Sequence, residues 1–318
     1  MKKMIALALC AVLLLAALCA CTAVTETGGG KLKVLATIFP QYDWIRSIAG
    51  DKAEVGLLID SGVDLHSYRA SARDIMKISD CDMLICIGGE SEEWVEDALA
   101  GAKNKNITVV RLMDLLENTL IEEEEESEEG EREYDEHIWL SLKNACACCR
   151  GIAAALAESD PDNAHKYRAN AEEYAQKLEQ LDKKYAAAVE NAPVRALVFA
   201  DRFPFAYLAD DYGIEHYAAF PGCSAETEAS FKTIITLANK VDELSLAAIM
   251  TTESSDLAVA RTVKRATKSG EQEIYKLDSM QSVTREEIDS GATYIEIMES
   301  NLEILKKALR KEDTPWRS

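Results

Sequence analysis

The sequence predicts an α/β protein of two lobes, each a four-stranded parallel sheet flanked by helices, joined by one long connector helix. Three observations predict it. From Lys31 onward, short apolar runs alternate with amphipathic segments, the βα succession that builds a parallel sheet. After Pro193 the same succession starts again. Between the two series lies "DPDNAHKYRANAEEYAQKLEQLDKKYAAAVENA", which has no glycine or proline between Pro161 and Pro193 and reads as one uninterrupted helix.

Residues 1–20 read as a secretory signal. Lys2 and Lys3 precede the apolar run "MIALALCAVLLLAALCA", too short and too unevenly flanked for a permanent span. Its end, Leu18-Cys19-Ala20-Cys21, resembles a bacterial lipobox. Cys21 is therefore expected to become a lipid-bearing N-terminus, and residues 21–30, "CTAVTETGGG", a flexible tether. An uncleaved anchor helix is the alternative. Both readings put the folded part at the outer face of the cytoplasmic membrane.

The N-terminal lobe, 31–159, offers strands in "KLKVLATI", "AEVGLLI", "CDMLICIG" and "ITVVRL", with helices in "QYDWIRSIAG", "SARDIMKIS" and "SEEWVEDALAGA" between them. An acidic loop, 122–136, holds eleven acidic side chains and runs into His137, after which a helix begins near Ser141. In the connector, 160–192, Asp160 is the expected N-cap and Pro161 occupies the first helical position. One helix over 161–190 would be about 45 Å long at 1.5 Å per residue, a rod that holds two lobes at a nearly fixed separation. The C-terminal lobe, 193–311, repeats the pattern with strands "RALVFA", "IEHYAAF", "LAAIMTT" and "EIYKLD". Its helical segments are "FAYLADDYG", "SFKTIITLANKVDE" and "LAVARTVKRATKSG".

Composition narrows the partners. With 318 residues and 48% hydrophobic side chains the chain can bury a sizeable core. A formal charge of −21, from 56 acidic against 35 basic residues, disfavours nucleic acid and anionic headgroups and favours cations. Six cysteines lie beyond Cys21. Cys81 and Cys86 fall in a strand-like run and Cys146, Cys148 and Cys149 in a helical one, positions suited to small core residues. The Cys-x-x-C inside "CACC" continues into a helix rather than opening one after a strand, which argues against redox or zinc chemistry there.

In open parallel sheets, ligands collect beyond the carboxyl ends of the strands. His66 follows "VGLLI", Asp201 and Arg202 follow "RALVFA", Glu253 follows "AAIMTT", and Asp278 stands at the tip of "EIYKL". His137 ends the acidic loop. Of the other two histidines, His165 lies among polar residues of the connector and reads as exposed, and His216 reads as a core or rim residue of a strand.

The stretches "GVDLHSYRASARDIMKISDCDMLICIGG", "DEHIWLSLKNA", the long connector and "KLDSMQSVT", continued by "GATYIEIMESNLEILKKAL", together resemble the metal-binding receptors of bacterial zinc and manganese ABC importers, the cluster A-I solute-binding proteins. The resemblance covers essentially the whole chain after the leader, in order. It implies a divalent transition metal held between the lobes, with His66, His137 and Asp278 as ligands. It also implies delivery to an ABC permease by a receptor that is a monomer and not an enzyme. Two imidazoles suit zinc, and a nitrogen–oxygen mixture is acceptable to manganese.

One position departs from that pattern. Zinc members carry a histidine, and manganese members usually a glutamate, where this chain has Arg202 in "DRFPFAYLADDYG". A guanidinium stays protonated and cannot ligate. Either Asp201 takes the fourth place, or Arg202 pairs with Asp278 and leaves a weakened site. The acidic loop stands where zinc members often have a loop rich in histidine and acid, so it either gathers cations near the site or is a solvated surface segment. Two rival functions remain: a metallo-hydrolase with Glu253 as general base, and a surface adhesin on the receptor fold. Against the hydrolase, the chain has no His-Glu-x-x-His, nucleophile elbow or glycine-rich phosphate loop.

Overall fold

The computed structural model describes residues 30–116, 118–122, 133–220 and 229–311. The leader, Cys21, most of the tether, the centre of the acidic loop and Cys223 lie outside them. Among the described residues no helix is long and apolar enough to cross a membrane.

Both sheets form where the apolar runs stand. In the first, β1 (Leu32–Ala36), β2 (Ala53–Leu57), β3 (Met83–Cys86) and β4 (Thr108–Arg111) are all parallel, in the order β2-β1-β3-β4. The central strand β3 is buried at every position, as an apolar run covered on both faces should be. Helices α1 (Phe39–Ala49), α2 (Ala72–Ser79) and α3 (Trp94–Gly101) make the crossovers. Each start has a local cause. Gln41 Oε1 accepts from the amides of Thr37 and Ile38 at the head of α1, and Ser71 and Asp74 form a capping box at α2.

The second sheet repeats the arrangement with β5 (Ala196–Arg202), β6 (Glu215–Phe220), β7 (Ala248–Thr252) and β8 (Glu273–Leu277), in the order β6-β5-β7-β8. Between the sheets run α4 (Leu142–Ser159) and α5 (Ala164–Glu190), and the C-terminal half adds α6 (Ala206–Tyr212), α7 (Phe231–Leu244), α8 (Ala258–Ala266), α9 (Arg285–Asp289) and α10 (Tyr294–Ala308). Strand β5 outruns its expected end, because Arg202 pairs with Phe220 after a register shift that begins at Phe199. Asp201 and Arg202 are thus strand residues rather than the loop residues the sequence suggested.

The connector opens with a 3-10 turn at Pro161–Asn163 and continues as the 27-residue α5. Asp160 precedes it without capping a backbone amide; its carboxylate instead accepts from Asn163 Nδ2 and the Tyr167 hydroxyl. The stripe Tyr167, Ala171, Tyr174, Leu178, Leu181 and Tyr185 buries one face of α5, at helical spacing. That face is also hydrogen-bonded: Tyr174 donates to Asp43 of α1, and Tyr185 donates to the Met298 carbonyl of α10. His165 is exposed on α5, and His216 lies exposed on the edge strand β6, stacked on Phe203.

The two sheets share one main core. It extends from β1 and β3 through α4, α5 and α10 to the inward residues of the second sheet, Leu197, Phe199, Met250 and Leu277. The alternate residues Val198, Ala200 and Ile249 face a smaller cluster with α7 and α8. Polar contacts also cross between the sheets: Ser61 bridges Thr284, and Arg285 donates both its amide and its guanidinium to Asp60. The five described cysteines are buried and unpaired, and burial pushes the Cys81 and Cys146 thiols up to about 11. They are core residues without thiolate chemistry.

Candidate metal centre

The two loop histidines meet. His66 lies in a 3-10 turn after β2, His137 immediately before another at Ile138–Leu140, and their Nε2 atoms are 3.3 Å apart. Two nitrogens bound to one tetrahedral zinc at about 2.0–2.1 Å stand about 3.3–3.4 Å from each other, so the pair has the spacing of two zinc ligands.

The same device sets both histidines on the backbone. Asp64 Oδ1 accepts from the His66 amide at 2.9 Å, and Asp135 Oδ1 accepts from the His137 amide at 2.8 Å, each an Asx turn that aims the ring two residues on. The rings are then held at Nδ1. For His137 the partner is Asp135 Oδ1 at 3.0 Å, and both side chains are buried. For His66 it is the Ser91 hydroxyl at 2.6 Å. Nε2 can present a lone pair to a cation only if the neutral ring keeps its proton on Nδ1, which then donates to these partners. Burial and the neighbouring His137 ring push His66 down to about 4, so at neutral pH it is the uncharged donor that ligation requires.

The His137 turn is bolted to the C-terminal half. Trp139 Nε1–H donates to the Ser279 carbonyl at 2.8 Å, the Tyr294 hydroxyl donates to the Trp139 carbonyl, and the Tyr207 hydroxyl donates to the Asp135 carbonyl at 2.7 Å. Ser141, the N-cap of α4, donates to Asp211 at 2.6 Å. Asp278, at the end of β8, is therefore one residue from a direct link to the His137 turn. Its Oδ1 accepts from the Met280 amide, and burial, with the Glu253 carboxylate nearby, pushes it up to about 6.

Asp201 and Arg202 are engaged elsewhere. Asp201 Oδ2 accepts from the amide and hydroxyl of Thr252, and Oδ1 accepts from the Arg202 amide. The Arg202 guanidinium reaches Asp64 Oδ2 at 3.8 Å, so its ion pair is with the residue that aims His66 and not with Asp278. Beside these residues opens a polar cavity of about 280 Å³ that Asp64, Arg202, Thr252, Glu253 and Gln281 help to line. Among the described residues, no three His, Cys, Asp or Glu side chains converge tightly enough to hold an ion by themselves. The structure brings His66 and His137 together and leaves Asp201 and Asp278 on their own hydrogen bonds.

Sequence reasoning missed Asp135, Ser91, Trp139 and Tyr207. For Asp135 a signal existed, because an aspartate stands two residues before each histidine, in "DLH" and "DEH". Ser91 had none, since it meets His66 across 25 residues.

Comparison with known proteins identifies the family. A family model described as "ZnuA: Zinc-uptake complex component A periplasmic" matches residues 34–308. The chain is similar to the zinc-binding lipoprotein AdcA of Streptococcus pneumoniae, 33% identical over 310 residues that cover 94% of this chain and 61% of that protein. It thus spans about three fifths of that relative's length. It is also similar to the high-affinity zinc uptake system protein ZnuA of Bacillus subtilis, 32% identical over 292 residues and 89% of each. Among solved structures, the Zn(II)-bound ZnuA-like domain of Streptococcus pneumoniae AdcA superposes with a TM-score of 0.72 at 30% identity, covering 89% of this chain and 100% of that one.

Proposed function

The chain belongs to the ZnuA family of periplasmic zinc-uptake components, and from that membership we propose that it captures zinc between its two lobes and hands it to the ABC permease of an importer. Manganese is the second acceptable ion. The observation that carries the reading is the pair of imidazoles with Nε2 atoms 3.3 Å apart and both Nδ1 atoms anchored. Asp278 and Asp201 are the carboxylates proposed to complete the ligand set. The lipid on Cys21 would keep the receptor on the outer face of the cytoplasmic membrane, within reach of the permease.

Two neutral imidazoles and two carboxylates bind zinc firmly, yet without the thiolates that would make release slow. The hydrolase alternative needs a free general base. Glu253 instead accepts from the Ser279 amide and from the hydroxyls of Ser279 and Ser282, so its oxygens are occupied. That favours a carrier over a catalyst.

Titration of the purified chain with zinc tests the reading. One ion should bind per chain, and His66→Ala or His137→Ala should each weaken binding by at least about a hundredfold, more than the loss of a group that merely touches a ligand. Tight binding retained in both variants would defeat it. The fourth ligand is read from the same titration. Asp201→Ala weakens binding if Asp201 ligates, whereas a silent Asp201→Ala together with tighter zinc binding by Arg202→His would assign the place to residue 202.

A further inference from the structure

We propose that Ser91 is a positioning residue for metal capture: its hydroxyl accepts the Nδ1–H of His66 and holds that ring with Nε2 turned toward His137. The inference rests on the zinc-receptor reading for its consequence, though not for its geometry. Ser91 Oγ lies 2.6 Å from His66 Nδ1, closer than the 3.0 Å between Asp135 Oδ1 and His137 Nδ1.

The clamp does not end at Ser91. The Ser91 amide donates to Glu136 Oε1 at 2.8 Å, and Glu136 is the residue before His137. Gly89 lies so close under Glu136 that a Cβ there would come within 2.4 Å of its side chain, and the Gly88 amide donates to Glu92 at 2.9 Å, closing the loop on itself. One short turn, Glu90–Glu92, thus grips one histidine by a hydroxyl and the neighbour of the other by an amide. The spacing of the two Nε2 atoms is set through Ser91 instead of being left to two independent loops.

The partners differ in kind. His137 is backed by a carboxylate and His66 by a neutral hydroxyl, which orients its ring without adding charge. The contribution of Ser91 to the His66 ring is therefore one of orientation. Without Ser91 the ring is free to rotate about χ2 or to move its proton to Nε2, the atom needed for the ion.

The test has two readouts. Long-range proton–nitrogen NMR of the metal-free protein should find His66 as the Nδ1–H tautomer, and Ser91→Ala or Ser91→Gly should yield a mixture with the Nε2–H form. Zinc affinity should fall about tenfold in both variants and return in Ser91→Thr, which restores a hydroxyl at a half-buried position. An unchanged tautomer in both hydroxyl-free variants overturns the proposal, as does a loss of affinity that threonine fails to restore. If the tautomer shifts as stated but the parent protein binds no zinc, the positioning stands and the zinc-receptor reading falls.

Discussion

At the scale of single residues, Glu92 couples the fold to pH. It is 3% exposed, and one oxygen accepts from the Gly88 amide. Burial pushes its carboxyl up to about 7. In the unfolded chain the same group ionises near pH 4.3. A folded-state value raised in this way gives a contribution that is fully present below the unfolded value and lost as pH rises through about 7. The whole effect is at most about 4 kcal/mol, since each tenfold change in proton affinity between the folded and unfolded chain is worth about 1.4 kcal/mol. Glu92→Gln removes the titration, so the variant should gain stability over the parent between pH 5 and pH 8. Urea unfolding at both values measures it, and an equal difference at the two would refute the account. Gln41 Nε2 and Glu136 Oε2 are buried without hydrogen-bond partners among the described residues, so the ground beneath the histidine turns is polar and incompletely satisfied.

At the scale of elements, the connector acts through what it is tied to. Asp43 on α1 is 5% exposed and accepts both from the Tyr174 hydroxyl of α5 at 3.2 Å and from the Tyr294 amide at the start of α10 at 3.0 Å. One carboxylate thus joins three helices and sits at the positive end of α10, which compensates in part for its burial. Asp43→Ala should cost about 2–4 kcal/mol, because it leaves a buried hydroxyl and a buried amide without partners. Asp43→Asn keeps an acceptor and should cost less. Denaturant midpoints of the two variants give the comparison, and equal losses would mean that packing, not hydrogen bonding, holds the junction. The same logic explains why Trp139 matters more than its apolar bulk: its indole N–H fastens the His137 turn to the Asp278 segment through Ser279.

At the scale of the whole molecule, a net charge of −21 makes cation capture partly a long-range event. Glu122 and Tyr134, on either side of the acidic segment, pair in an antiparallel bridge, so the two positions from which it is joined to the fold lie side by side. Removing residues 123–132 and rejoining the ends should leave equilibrium zinc affinity nearly unchanged. Capture should be slower at low salt, and the difference should vanish near 1 M, where the Debye length is about 3 Å. Stopped-flow competition with a chromophoric chelator reads the rate. A large loss of affinity would instead make the segment a source of ligands, and an unchanged rate at every ionic strength would leave it a solvated surface.

The sequence by itself determined the two parallel sheets, the long helix between them and the burial of the five described cysteines, because period, run length and the absence of glycine or proline are local properties. It also marked His66 and His137 through their polar turns, and the aspartate two residues before each was open to the same reading. The tertiary structure alone decided that the two Nε2 atoms face each other, that Ser91 holds one ring, and that Arg202 pairs with Asp64. It also carried β5 on through Asp201 and engaged that carboxylate with Thr252. These contacts join residues 25 to 138 positions apart, or depend on where a strand ends against its neighbour. Nothing in a local pattern encodes them; they exist only once the sheets, the connector and the shared core have set the distances.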